Sequence, residues 1–339
     1  MSTQSLPNNA NLACTSLIIK DKSNNVYHGR TLEFSVDYPS YLSFYPCNTV
    51  FTTVAPDNSA GLTFTSKYNI LGITMPASSK DDLCFINGFN CAGLAFAANM
   101  YSSSVTPDLN PEDYCRSIPV IKIGDWGLAS FATVDEVKAA LQKQPVWSPV
   151  LASIGNRTSP FHFIFYDKTG KSIVIEYDNK KLNIYDNPTG VLTNGPEFPW
   201  HLTNLNHYTM LTNKDVPTST ALGNLTLKQP DLGNSTANLP SDEMSVGRFV
   251  RAVYYSSFVN KVDNPDTALV ELSHIMNKFD RPKNITVGTD GVYEYSEWTA
   301  LADLSRGELF IRTYNDINYT KYSLCDFRCK HVPYHTQVI

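Results

Sequence analysis

The residue in this chain that most invites chemistry is Cys14. In Ala13-Cys14-Thr15-Ser16-Leu17 a thiol stands directly before an apolar run, with a small residue ahead of it. If the bond before Cys14 is cut, one residue carries both a nucleophile and a base. The new α-amine has a reference pKa of about 7.7–8.0, so near neutral pH it can accept the thiol proton. That is the N-terminal-amine version of the nucleophile–base pair, and it needs no histidine. A nearby guanidinium, Arg30, would favour thiolate over thiol. Taken alone, a cysteine at a strand start is more often a packing residue.

Other machinery is absent at the level of motifs. There is no Gly-x-Gly-x-x-Gly, P-loop, His-Glu-x-x-His, EF-hand loop or Gly-x-Ser-x-Gly. Cys325-x-x-x-Cys329-x-His331 lacks an evident fourth ligand and reads as two ordinary cysteines. The seven histidines are scattered, and no local signature marks one as the partner of a cysteine. Seven cysteines are too sparse for a disulfide scaffold, and an odd count leaves one unpaired within a monomer. Neither a metal nor an organic cofactor is expected.

The elements that must position Cys14 follow from hydrophobic periodicity. Leu17-Ile18-Ile19, a polar turn at 20–25 and Val26 to Thr31 predict an antiparallel hairpin. Cys14 then sits at its open end, and Arg30 and Glu33 lie where the partner strand returns. Residues 131–142 predict a helix opened by a capping box at Thr133 and Glu136. Strands are expected over 161–166, 172–177 and 181–185, and helices over 245–259 and 268–279. The chain closes with strands over 291–304 and 308–314, whereas 212–243 reads as a long surface excursion. Strand and helix blocks that do not strictly alternate argue for an α+β fold. The 339 residues show no repeat and no linker, which favours one domain over 14–339 behind a leader of residues 1–13. A net charge of −5 without a basic run leaves no nucleic-acid footprint. No apolar run reaches the roughly 18 residues of a membrane span. The first thirteen residues lack the form of a signal peptide. The compartment stays open: periplasmic or secreted if a signal has already been removed, cytoplasmic otherwise.

The segment Tyr185-Asp186-Asn187-Pro188-Thr189-Gly190-Val191-Leu192-Thr193-Asn194-Gly195-Pro196, continuing to Leu205, resembles the choloylglycine hydrolase family. That family contains conjugated bile salt hydrolases and penicillin V acylases. Asp167 to Tyr177, Cys14-Thr15 with Gly29-Arg30, and Arg248-Phe249 with Arg251 resemble it in the same order. The resemblance implies an N-terminal nucleophile (Ntn) hydrolase. Its fold would be a four-layer αββα sandwich of two antiparallel sheets flanked by helices, often a homotetramer, cut to expose the cysteine. It matches Cys14 to the nucleophile, Arg30 to the arginine beside the sulfur, Asn194 to an oxyanion residue and Arg248 to a second active-site arginine. Glu33 stands where the family has aspartate, and it can still hold the α-ammonium. After Gly93-Leu94, Asn99 is the expected second oxyanion contact, with the backbone N–H of Met100 as the alternative. The implied substrate is a small-molecule N-acyl amide with an apolar acyl group. Candidates are a conjugated bile salt, penicillin V or an N-acyl homoserine lactone. Two rivals remain: a non-catalytic protein that binds amphipathic acyl ligands on the same fold, and a cysteine hydrolase with a histidine base.

Overall fold

The structure is a computed structural model that describes residues 13–77, 79, 81–151, 156–215, 219–289 and 291–339. The expected leader, apart from Ala13, lies outside the described residues. In chain order the strands are β1 (Ala13–Lys20), β2 (Val26–Phe34), β3 (Tyr41–Tyr45), β4 (Val50–Val54), β5 (Ala60–Thr65), β6 (Ile70–Pro76), β7 (Leu83–Asn90) and β8 (Ala95–Met100). They continue with β9 (Phe161–Tyr166), β10 (Ser172–Asp178), β11 (Lys181–Asp186), β12 (Val191–Leu192), β13 (Tyr293–Asp303), β14 (Glu308–Thr313), β15 (Thr320–Ser323) and β16 (Tyr334–Gln337). Helices are α1 (Ile123–Ser130), α2 (Val134–Leu141), α3 (Phe198–Asn204), α4 (Ser245–Phe258) and α5 (Pro265–Met276).

Two antiparallel sheets stack face to face. One runs β12-β1-β2-β13-β14-β15, and the other runs β11-β10-β9-β8-β7-β6-β3-β16. β1 packs on β8 across the interface between them. Helices α4 and α5 cover the outer face of the first sheet, while α1 and α2 cover the second. The order is therefore αββα. Central strands are buried along nearly their whole length, because each sheet is covered on both faces. Among the described residues no helix is long and apolar enough to cross a membrane.

Three differences from the sequence expectation have physical causes. Helix α1 was not foreseen, because Gly124 and Gly127 depress helix propensity. Both glycines are there for packing: a Cβ on Gly124 would strike the Phe96 ring, and one on Gly127 the Phe165 ring. The excursion after 212 contains an exposed hairpin, Ser219–Leu222 with Leu225–Lys228. Helix α5 begins at Pro265, ahead of its first apolar residue. Asn264 caps it and Pro265 fits the first turn, where no amide donor is needed.

The foreseen capping box is present: the Thr133 hydroxyl accepts from Glu136 N, and the Glu136 carboxylate accepts from Thr133 N. Thr133→Ala should therefore destabilise the protein by about 1 kcal/mol. A lower urea midpoint with an unchanged slope would show it, and an unchanged midpoint would contradict it.

Candidate active site

The β1–β2 register sets the site. Cys14 pairs with Leu32, Ser16 with Arg30 and Ala13 with Glu33. Directly opposed residues share a face and alternate residues change face. Cys14, Ser16 and Arg30 thus point between the two sheets, whereas Thr15 and Glu33 point toward the helices. Edge strand β12 pairs with the other side of β1, Leu192 opposite Ser16, and delivers Thr193-Asn194 to the open end. An Asn187 turn starts that strand: its Oδ1 accepts from Thr189 N and Gly190 N, each at 3.0 Å. Gly190 takes φ 66°, where a side chain would be strained, and a Cβ there would also meet Ile18.

Cys14 is 1% exposed. Its Sγ accepts from Arg30 Nη2 at 3.4 Å. The Arg30 guanidinium also donates to the carbonyls of Ile86 and Ala98 in the second sheet. It lies 5.2 Å from the Trp298 ring centroid. No carboxylate hydrogen-bonds it among the described residues. Burial raises the thiol pKa above its ordinary value, and the neighbouring Arg30 cation lowers it by less. In the folded, uncut chain desolvation wins, and the sulfur is a thiol that needs a base.

Asn194 sits at the backbone of Cys14. Its Oδ1 accepts from Cys14 N at 2.9 Å and from Arg248 Nη2 at 2.7 Å. Its Nδ2 donates to Met100 O at 3.0 Å. Arg248 comes from α4 and also holds the Cys14 carbonyl and Thr15 Oγ1. Burial lowers the Arg248 pKa to about 10, so it is still a cation at neutral pH. Cys14, Arg30, Asn194 and Arg248 are thus brought together.

Glu33 lies beside Ala13 on the helix face. Its Oε1 accepts from Ser296 Oγ at 3.1 Å, and its Oε2 has no hydrogen-bond partner among the described residues. Burial raises its pKa, against the nearby cations Arg281 and Arg248.

Asn99 is a correction to the expectation. Its Nδ2 donates to the carbonyls of Leu192 and Thr193 at 3.1 and 2.8 Å. Its Oδ1 accepts from Ser16 Oγ at 3.1 Å. With both amide hydrogens used on backbone, it braces β12 and does not face the sulfur. Asn99 points across to Ser16 and β12, one step along β1 from Cys14, while Ala98 lines the cavity at Cys14 and Met100 the cleft beyond it.

Two spaces flank the start of β1. An apolar cavity is lined by Cys14 with Leu32, Phe34, Met75, Ile86 and Phe161 among others. On the other side an open polar cleft is lined by Ala13, Asn194, Arg248, Arg281, Glu243 and Glu294 among others. No described histidine lines either space. His28 and His201 are buried and pushed down to about 4 by desolvation. Among the described residues no three His, Cys, Asp or Glu side chains gather where they could hold a metal.

The sequence argument missed Ser245, whose hydroxyl accepts from Asn194 N at 3.0 Å, and Arg281, which lines the cleft between Glu243 and Glu294. It also missed Glu176 and His162, buried on strands that otherwise read as apolar. A charged residue inside such a run was the available signal.

A stacked αββα sandwich with a buried cysteine at the open end of a central strand is the arrangement of an Ntn hydrolase. The chain belongs to the choloylglycine hydrolase family of linear amide C–N hydrolases, whose family model matches residues 14–330. It is 33% identical over 313 residues to the bile salt hydrolase/transferase of Clostridium perfringens, covering 90% of this chain and 91% of that one. A crystal structure of a conjugated bile acid hydrolase variant from the same species superposes with a TM-score of 0.83 at 27% identity, covering 96% and 97% of the two chains. The penicillin V acylase of Pectobacterium atrosepticum is 27% identical over 253 residues, covering 74% of this chain and 61% of that one.

The raised Cys14 pKa makes a prediction for the chain that still carries Ala13. Below pH 9, alkylation of Cys14 by iodoacetamide should quicken about tenfold per pH unit, following the thiolate fraction. Peptide mapping separates it from the exposed cysteines. A rate plateau below pH 8 would contradict the assignment.

Proposed function

We propose that this protein hydrolyses the amide bond of an amphipathic N-acyl conjugate, with Cys14 as nucleophile after residues 1–13 have been removed. The observation that carries this reading is that Cys14 lines the apolar cavity while its neighbour Ala13 lines the polar cleft. An apolar acyl group is recognised by burial on one side, and a polar amine group stays hydrated on the other. Removal of Ala13 turns the Cys14 peptide nitrogen into an α-amine at the same place, beside Asn194 Oδ1.

The α-amine takes the thiol proton, and Sγ attacks the acyl carbon. Arg30 stabilises the sulfur anion. Asn194 supplies an amide donor to the oxyanion, a contribution worth a few kcal/mol in comparable sites. The tetrahedral intermediate collapses by breaking the C–N bond, and the α-ammonium returns its proton to the leaving amine. Water then attacks the acyl thioester, with the α-amine as base, and the acid leaves. Glu33, with its unpartnered Oε2 beside Ala13, holds the ammonium form. The burial that raises the Glu33 pKa is offset when that cation forms next to it.

A conjugated bile salt is the first substrate to test. The relatives that carry that name match nine-tenths of this chain, at 33% and 29% identity. Protein whose N-terminus is Cys14 should release the amine from glycine- or taurine-conjugated bile acids, phenoxymethylpenicillin or an N-acyl homoserine lactone. Cys14→Ala should lower turnover roughly 10³-fold or more. Turnover that survives Cys14→Ala would overturn the nucleophile. Binding without turnover by the protein starting at Cys14 would leave a ligand carrier in place of an enzyme.

The same reading includes a homotetramer. Leu222, Leu225 and Leu227 on the hairpin after 212 are exposed, a cost in water that association between copies removes. Sedimentation velocity should give four chains, and Leu222→Ser with Leu225→Ser should shift the protein to smaller species. A monomeric parent would contradict it.

A further inference from the structure

Resting on Asn194 as the oxyanion donor, the question is what fixes its amide. His162 on β9 and Glu176 on β10 are 0% and 1% exposed. His162 Nδ1 is 2.9 Å from Glu176 Oε1, and Nε2 is 3.1 Å from Thr193 O. A carbonyl oxygen only accepts, so Nε2 donates to Thr193. Phe198 N donates to both Glu176 oxygens, at 3.0 and 3.2 Å. The Tyr101 ring stacks on the imidazole, centroids 5.0 Å apart and 11° between planes.

The two ends of this pair grip the two sides of one turn. His162 holds Thr193, and Glu176 holds Phe198 at the start of α3. Between them lie Asn194, Gly195, Pro196 and Glu197. Asn99, the cross-strand neighbour of His162, donates to the same Thr193 carbonyl. We propose that His162–Glu176 is a positioning pair that aims the Asn194 amide at the oxyanion by clamping the peptide before it and the helix after it. Neither residue lines the apolar cavity or the open cleft.

The test is His162→Phe in the protein that begins at Cys14, which keeps a ring and removes both hydrogen-bonding nitrogens. Turnover (kcat) should fall roughly 10–100-fold, with KM changed less than about twofold, since only transition-state binding is lost. The side-chain amide resonance of Asn194 in a 15N–1H spectrum should move. Glu176→Gln keeps the clamp, since its amide can donate to a neutral His162 and accept from Phe198 N, and its kcat should stay within about threefold of the parent. A His162→Phe kcat within twofold of the parent, with only the melting temperature lowered, would reduce the pair to a structural role. If His162→Phe does not fold, Glu176→Asp, which retracts the carboxylate from Phe198, takes its place with the same expectation. If the parent turns over no amide, the activity reading fails, and the Asn194 resonance alone decides: a shift supports positioning and its absence overturns it.

Discussion

The site depends on one side chain, Asn194, being held by every layer around it. Its backbone N donates to Ser245 on α4, and its carbonyl accepts from His201 on α3. Its Oδ1 takes the Cys14 N–H from the first sheet, and its Nδ2 reaches Met100 O in the second. A half-buried amide with each polar atom matched has one orientation, because flipping it would set donors against donors. Both sheets, α3 and α4 therefore have to be in register before oxygen and nitrogen of this amide can face the right way. That constraint explains why the long, specific stretch of sequence surrounds Asn194 and not Cys14.

The second organising feature is the treatment of charge. Arg30 is buried, its two terminal nitrogens engaged by two carbonyls and a sulfur, its guanidinium beside an indole face, and its Nε without a hydrogen-bond partner among the described residues. A carboxylate in that place would satisfy the cation and leave less of its field for the sulfur. On the other face Arg248 and Arg281 lie near Glu33 and Glu243, so the carboxylates are kept to the side where the peptide nitrogen lies. The sheet itself separates the two environments: alternate residues of β1 and β2 sample one and then the other.

Much of this was legible because β1 and β2 obey period-two alternation. Once Cys14 opens one strand and Arg30 and Glu33 lie near the end of the next, a hairpin puts them together. The face each one occupies depends on the register, and the turn between the strands did not set that. Asn99 shows the limit. Counting along the chain placed it near the sulfur, but it points across to Ser16 and β12, one step along β1 from Cys14. Helix α1 was hidden by glycines whose purpose is contact with Phe96 and Phe165, residues distant in sequence. His162 and Glu176 read as interruptions of apolar strands because their partners, Thr193 and Phe198, lie on another segment of chain.

The choice of base follows from the same electrostatics. A histidine beside Cys14 would have to become an imidazolium in a region already holding Arg30 and Arg248, and both cations oppose that charge. The two histidines buried nearest the β1 and Asn194 backbones, His28 and His201, illustrate the consequence: desolvation holds both near 4, where they cannot take a proton at neutral pH. An α-amine starts from a higher reference value, about 7.7–8.0, so the same cations can lower it and still leave a competent base. In the proposed mechanism Glu33 sets how far it falls, since its carboxylate opposes the arginine cations from the helix side. The longer side chain at this position is then an electrostatic variable of that mechanism: its distance from the nitrogen would tune the base, while Arg30, on the opposite face, would act on the sulfur.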